Sequence, residues 1–251
     1  MNGCNTKAVL LVGGLGTRLR SVVPSAPKVL ATLGERSFLE LLVRQLRVQG
    51  IQRLVLCTGY LCEQIEKTFG DGRALDVSIE YSEEEKALGT AGAVKLAQRY
   101  LGDISDFFVM NGDSFLEVDF QNLMNFHRDR GARATIAVVR MEDTSRYGTV
   151  HVDRNSRVSE FAEKTDKHIP GLVNGGVYVF NHSALEYISE QPASLERDVF
   201  PRLVEHGVYA QEQHGMFIDI GTPADYERAR QLCDCLNEAA LRRRDDPIVQ
   251  N

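Results

Sequence analysis

Five consecutive apolar residues, Ala8-Val-Leu-Leu-Val12, run straight into Gly13-Gly14. An apolar run without polar alternation reads as a strand buried on both faces, as in a parallel sheet sandwiched between helices. The pattern recurs. Ser37-Phe-Leu-Glu40 is a capping box, and Phe38, Leu41, Leu42 and Leu46 follow at helical spacing up to Gly50. Residues 54–57 read as a second strand, 61–69 as a short helix ending at Gly70, and 77–81 as a third strand. Residues 91–101 read as a helix stopped by Gly102, and 107–110 as a fourth strand ending at Asn111-Gly-Asp113. This alternation predicts an α/β sheet with right-handed crossovers. Ligands of such sheets bind outside the carboxyl ends of the strands, where Gly13, Gly59 and Asn111-Gly-Asp113 fall.

The second half changes character. Residues 134–140, 148–152, 158–163 and 177–180 are strand-like, with little helix between the first three. Helices are expected near Leu185 and over 194–206, the latter weakened or kinked by Pro201. Residues 209–213 and 216–220 suggest a closing hairpin around Gly215. Thr222-Pro-Ala-Asp225 opens the last helix, with Thr222 as N-cap and Pro223 at its first position. From residue 237 the sequence is charged and patternless, so a domain over 6–236 followed by a frayed tail over 237–251 is expected.

The length of 251 residues suits one large domain. Lys and Arg number 29 against 35 Asp and Glu, a net charge of −6, which argues against a general nucleic-acid binder. Any phosphate chemistry must rest on locally placed cations. No apolar run approaches the ~18–20 residues that span a bilayer, and the polar N-terminus shows no secretory signal, so a cytoplasmic location without membrane partners is expected. Five cysteines, an odd number without a C-x-x-C pair, read as reduced thiols. The six histidines form neither H-E-x-x-H nor a His/Cys cluster, and no zinc site is expected.

The loop Gly13-Gly-Leu-Gly-Thr-Arg-Leu-Arg20 fails two familiar patterns. No Lys-Ser or Lys-Thr closes it as in a P-loop, and Leu19 stands where a dinucleotide fingerprint needs Gly or Ala. Its chemistry still suits phosphate. Glycines let backbone N–H groups approach an anion, Arg18 adds a planar charged fork, and Lys28 a compact second charge. A tight turn with solvated Arg and Lys is the plainer alternative.

Leu11-Val-Gly-Gly-Leu-Gly-Thr-Arg-Leu19 with Pro27-Lys28 resembles the G-G-x-G-T-R-L…P-K signature of sugar-1-phosphate nucleotidylyltransferases. The resemblance continues in order through Leu88-Gly-Thr-Ala-Gly92, Asn111-Gly-Asp113, Arg146-Tyr-Gly-Thr149, Glu163-Lys164, Asn174-Gly-Gly-x-Tyr178 and Phe217-Ile-Asp-Ile-Gly221. It covers about residues 6–235. Arg18-Leu-Arg-Ser-Val-Val23 and the short length look most like the D-glycero-α-D-manno-heptose-1-phosphate guanylyltransferase branch, with mannose-1-phosphate guanylyltransferases next. The sequence departs from the pattern at Val12, at Val29-Leu-Ala-Thr-Leu33 and at Lys86-Ala87.

The resemblance implies a single Rossmann-like domain with a mixed, mostly parallel sheet flanked by helices, and a small sugar-binding β-rich part in the second half. It implies transfer of a nucleotidyl group, GMP from GTP, to a sugar 1-phosphate such as a heptose 1-phosphate, giving a GDP-heptose. Rival readings are a mannose-1-phosphate guanylyltransferase, an amino-sugar-1-phosphate uridylyltransferase, and a non-catalytic regulatory subunit that binds nucleotide sugars. Such subunits lose the loop arginine, the lysine or a metal aspartate, whereas Arg18, Lys28, Asp113, Lys164 and Asp219 are all present. A glycosyltransferase would be expected to carry D-x-D, of which Asn111-Gly-Asp113 supplies one carboxylate.

By the same resemblance Arg18, Lys28 and Asp113 are catalytic, and Asp113 and Asp219 hold Mg²⁺. Leu11, Gly13, Gly14, Gly16, Thr17, Leu88, Gly89, Thr90, Asn111 and Gly112 form the nucleotide site. Glu84 is expected to help read guanine, whose N1–H and N2–H₂ donors suit a carboxylate; the run Glu83-Glu-Glu85 reads equally as a solvated loop. Gly148, Glu163, Lys164, Asn174 and Gly175 are expected on the sugar phosphate. Each aspartate has a plainer reading: Asp113 as a turn residue, Asp219 as a cap for the helix at Thr222. A homodimer is compatible with the sequence.

Overall fold

The computed structural model describes residues 6–14, 16–162, 168–189 and 191–242. The first apolar run forms β1 (Lys7–Leu11). A small hairpin of β2 (Thr32–Leu33) and β3 (Arg36–Ser37) leads into α1 (Phe38–Val48). Ser37 caps α1 by accepting from the Glu40 N–H, while the Glu40 carboxylate turns outward to Arg44, so half of the expected capping box forms. Next come β4 (Arg53–Thr58), α2 (Cys62–Phe69), β5 (Ser78–Glu83), α3 (Gly89–Ala97) and β6 (Asp106–Asn111).

Strands β6, β1, β4 and β5 lie side by side, all parallel. Alternate residues face opposite layers. Leu10, Leu56, Phe108 and Met110 meet α1 and α2, whereas Val9, Val55, Phe107 and Val109 meet α3.

Two elements after β6 escape the sequence reading. The short β7 (Ser114–Leu116) follows the Asn111-Gly-Asp113 turn, and α4 (Phe120–Asp129) begins on an Asp119 cap that accepts from the Asn122 N–H. Phe120, Leu123, Met124 and His127 form its buried stripe. Then come β8 (Ala134–Met141), β9 (Thr149–Val152), β10 (Val158–Ala162) and the long β11 (Gly171–Asn181).

Strand β11 is the hinge of the architecture. Its carboxyl half, Val177–Asn181, pairs antiparallel with β6, while Val173 pairs with Thr149 of β9. Its other edge pairs with β8, with a register shift between Asn174 and Val177. One strand thus leaves the parallel sheet and joins the β-rich part through a bulge at Asn174-Gly175-Gly176.

The stretch from Leu195 to His206 is a π turn, one α turn, α5 (Phe200–Leu203), and a 3₁₀ turn. Pro201, lacking an N–H, breaks what the sequence suggested as one helix. The expected hairpin of residues 209–213 and 216–220 does not form. Instead β12 (Val208–Gln213) pairs parallel with β8, and β13 (Phe217–Asp219) pairs antiparallel with β7.

Thr222 caps α6 (Pro223–Gln231) by accepting from the Asp225 N–H. A further helix, α7 (Cys233–Leu241), corrects the expected fraying from residue 237. Leu236, Ala239 and Ala240 are buried in the α1 layer, and Arg36 donates to Asn237. The apolar spacing, not the charge, decides the helix; residues 243–251 lie outside the described residues. No helix among the described residues is long and apolar enough to cross a membrane.

Candidate active site

The register of the parallel strands builds the cleft. Leu11 pairs with Cys57 on one side and Asn111 on the other, so three strands end together. Beyond those ends lies a cleft of about 290 Å³ lined by Leu11, Gly13, Gly14, Lys28, Glu84, Gly89, Thr90, Asn111 and Asp113, among others. These sequence-predicted residues come from five separate segments.

Two glycines are required by geometry. Gly112 packs so closely that an added Cβ would sit 2.6 Å from the Leu11 carbonyl oxygen. Gly89 has φ +71°, and a Cβ there would meet the Ala193 carbonyl oxygen at 2.5 Å. Both clashes are with backbone, which cannot swing aside.

Asp113 accepts from Lys28 Nζ at 2.7 Å, and the lysine side chain is only 10% exposed. Asp219, at the end of β13, pairs in register with Ser114 at the start of β7. Ser114 Oγ lies 3.2 Å from Asp219 Oδ2 and 3.5 Å from Asp113 Oδ1, bridging the two carboxylates. The Ile220 N–H donates to the Asp113 carbonyl, and the Gly221 N–H to Asp219 Oδ1. Asp219 thus braces its own turn, while the cap of α6 is Thr222. Burial, and then the negative charge of Asp113, push the Asp219 carboxyl above the usual range; Lys28 and the Gly221 N–H offset part of this. Two mutually repelling carboxylates beside one cation form a hard-oxygen donor set that a divalent ion would relieve.

Glu84 follows β5 and accepts the Leu88 N–H at 2.7 Å through one oxygen. Burial raises its carboxyl above the usual value, opposed by that backbone bond. The cleft floor beside it includes Cys57 and Ala93, which the sequence reading missed. Burial pushes the Cys57 thiol far up, so it acts as an apolar wall.

Gly16, Thr17 and Arg18 sit outside the cleft lining. Gly16, in the left-handed region at φ +57°, precedes a 3₁₀ turn, Thr17–Leu19, anchored by buried Leu19. Arg18 is exposed on that turn. Arg20 stacks over the Tyr60 ring at 5.2 Å, holding the turn to the β4–α2 connection. Leu88 and Gly112 support the lining residues without joining them.

Asn174 and Gly175, expected on the sugar phosphate, occupy the β11 bulge outside the cleft lining. The Asn174 amide donates to the Tyr178 hydroxyl at 2.7 Å, and its oxygen accepts the Gly176 N–H. Asn111 Oδ1 is buried without a hydrogen-bond partner among the described residues. Gly148 precedes β9 and lies beside Ala162. Glu163 and Lys164 lie outside the described residues.

One further residue had no sequence signal. Glu196, in the π turn, accepts from Thr90 and Ser194 through one oxygen and from the Tyr178 hydroxyl through the other. It joins the Gly89-Thr90 segment to the Tyr178–Asn174 pair.

Residues 7–234 match the nucleotidyl transferase family, and the chain belongs to that family. It is 36% identical over 248 residues to the mannose-1-phosphate guanylyltransferase catalytic subunit beta of Drosophila melanogaster. That match covers 98% of this chain and 66% of the fly protein, so the chain spans just under two thirds of that relative. HddC from Yersinia pseudotuberculosis, complexed with GMP-PN, is similar at a TM-score of 0.80 and 31% identity, over 90% of this chain and 98% of that one. A Bacillus anthracis protein in complex with a sucrose shares the fold at 22% identity, with a TM-score of 0.82 and 97% of each chain covered.

Proposed function

We propose that the chain is a sugar-1-phosphate guanylyltransferase, transferring GMP from GTP to a heptose 1-phosphate and releasing pyrophosphate. The observation that carries this is the convergence of Gly13, Gly14, Lys28, Glu84 and Asp113 on one cleft, with Asp219 brought beside Asp113. Guanine is supported by the GMP-PN complex of HddC and by the fly relative's name. The heptose rests on the resemblance of residues 18–23. Mannose 1-phosphate is the second reading, favoured by the name of the fly relative.

The chemistry follows from the substrates' charges. A phosphate monoester has its second pKa near ~6, so the sugar phosphate is already a nucleophile at neutral pH. Its oxygen attacks the α-phosphorus of GTP in line, and the bond to the bridging oxygen of pyrophosphate breaks. No general base is needed; two polyanions must be brought together and held. Backbone N–H groups of the Gly13-Gly14 turn receive the triphosphate, and Lys28 sets a buried charge beside the transferred group. Arg18, on its exposed turn, reaches the outer phosphates from the rim. Asp113 and Asp219 would hold a Mg²⁺, which when bound neutralises phosphate oxygens.

The free oxygen of Glu84 accepts from the guanine N1–H or N2–H₂ edge, while its other oxygen stays on Leu88. Asn111 Oδ1, unpaired among the described residues, offers a substrate hydroxyl an acceptor. Lys164 and Glu163 take the sugar phosphate and the sugar hydroxyls.

A panel of four NTPs with heptose and mannose 1-phosphates, read by pyrophosphate release in Mg²⁺, tests this. GTP should be preferred at least tenfold. Preference for UTP or CTP would overturn the guanine assignment.

A further inference from the structure

Arg146 sits in the connection between β8 and β9, far in sequence from α6. Its Nη1 donates to Asp225 Oδ1 at 2.9 Å and its Nη2 to Asp225 Oδ2, a two-pronged pair. Asp225 is 2% exposed and also accepts from the Thr222 hydroxyl at 2.6 Å. Burial alone would raise the Asp225 carboxyl, yet the bonds from Arg146 and Thr222 hold it below the usual range. A first-turn aspartate on an exposed helix needs none of this to cap α6, because Thr222 already does so.

What the pair joins gives it a role. On one side, Asp225 is six residues beyond Asp219, and the segment between them is pinned: Gly221 bonds Asp219, and Ile220 bonds Asp113. On the other side, Arg146 is followed by Tyr147, whose ring meets Phe217 of β13 edge-on at 5.8 Å. Then come Gly148 and Thr149, and Thr149 pairs with both Ala162 and Val173, immediately before the Glu163-Lys164 and Asn174 positions. Arg146 and Tyr147 therefore clamp the Gly148–Thr149 edge to the segment that carries Asp219.

We propose that Arg146 and Asp225 are a positioning pair for the acceptor, holding the Gly148–Thr149 edge in register with Asp219 so that the sugar phosphate meets the carboxylate pair. This inference rests on the guanylyltransferase reading. The nucleotide half of the cleft, built on β1, β4, β5 and α3, is not joined to the pair and should not depend on it. A purely structural ion pair would affect both halves alike, through global stability.

The test is a kinetic comparison of the wild type, Arg146→Gln, Arg146→Lys, Asp225→Asn and the Arg146→Gln/Asp225→Asn double variant. Arg146→Gln should raise KM for the sugar 1-phosphate at least tenfold and leave KM for GTP within twofold. Arg146→Lys keeps the charge but loses the fork, and should fall between. The double variant should be no worse than Arg146→Gln, because the two residues act as one unit. Parallel rises in both KM values, an unchanged acceptor KM, or additive losses would overturn the pairing.

Amide hydrogen exchange on the same proteins needs no substrate. Arg146→Gln should speed exchange in residues 147–150 and 217–221 together while residues 108–111 keep their protection; exchange confined to α6 would overturn the clamp. If the wild type transfers no GMP but both segments respond, the functional reading fails and the clamp stands.

Discussion

Replacing Asp113 by Ala separates chemistry from folding more cleanly than other changes in the cleft. The lost ion pair is short, 2.7 Å to Lys28 Nζ. At an effective dielectric of about 20 the gross attraction is on the order of 6 kcal/mol. Most of it is already cancelled. The Lys28 ammonium is largely desolvated, the Asp113 side chain is 40% exposed, and Asp113 repels Asp219. The net loss of stability should be about 1–3 kcal/mol, or roughly 3–10 °C in Tm for a domain of this size.

Catalysis has no such compensation. The variant loses one of the two carboxylates proposed to hold Mg²⁺, and the anion paired with Lys28. Transfer should fall by about 10³-fold or more, equivalent to about 4 kcal/mol of barrier. Asp219, freed of its charged neighbour, should titrate closer to an ordinary carboxyl. The assay is pyrophosphate release at saturating Mg²⁺, GTP and acceptor, beside a thermal melt. A cooperatively folded Asp113→Ala protein that retains more than a tenth of wild-type turnover would refute the reasoning.

Three other changes probe separate parts of the account. Glu84→Gln keeps an oxygen for Leu88 but presents an amide to the guanine donors, so KM for GTP should rise about 10–100-fold, or ~1.4–2.8 kcal/mol, with folding unchanged by thermal melt; equal GTP KM values would remove Glu84 from base reading. Gly89→Ala places a Cβ against the Ala193 carbonyl at φ +71°, so GTP affinity by calorimetry should drop at least tenfold, and unchanged affinity would show that the close Gly89–Ala193 approach is dispensable. Asp106 starts β6 and is held well below the usual carboxylate range, chiefly by His127 and also by Asn181 and Arg128, against the opposing effect of burial. Its stabilising contribution is therefore full above the unfolded value of ~3.9 and is lost as pH falls through the lower folded value. The gap in unfolding free energy between wild type and Asp106→Asn should narrow from pH 5 toward pH 2 in denaturant titrations, and a constant gap would refute the linkage.

The parallel half of the fold is legible because β1, β4 and β6 carry apolar runs and α1 and α2 are closed by Gly50 and Gly70. Pairings that no local pattern marks are not. Residues 209–213 and 216–220 have strand character that the sequence shows. Nothing local shows that one pairs with β8 and the other with β7, so a hairpin was the natural expectation. The helix α4 carries little local signal because Gln121, Asn122 and Asn125 interrupt a stripe that tertiary burial makes decisive.

The cleft divides the same way. Lys28, Glu84, Asn111 and Asp113 lie at strand ends or in glycine loops, where sequence patterns mark them, and the fold gathers them. Cys57 lines the floor only because β4 ends beside β1, and Glu196 reaches Thr90 only through the π turn before Pro201. Arg146 was visible as part of Arg146-Tyr-Gly-Thr149, but its partner Asp225 required the folded chain.

The central claim is that a sugar phosphate oxygen displaces pyrophosphate from the α-phosphorus of GTP in this cleft. Phosphorus-31 NMR of the purified protein with GTP, Mg²⁺ and a heptose or mannose 1-phosphate follows that event directly. The account predicts inorganic pyrophosphate and the two mutually coupled resonances of a GDP-sugar appearing in equal amounts. Loss of GTP to GDP and phosphate without a coupled sugar product, or no change with either acceptor while the protein is folded, would contradict it.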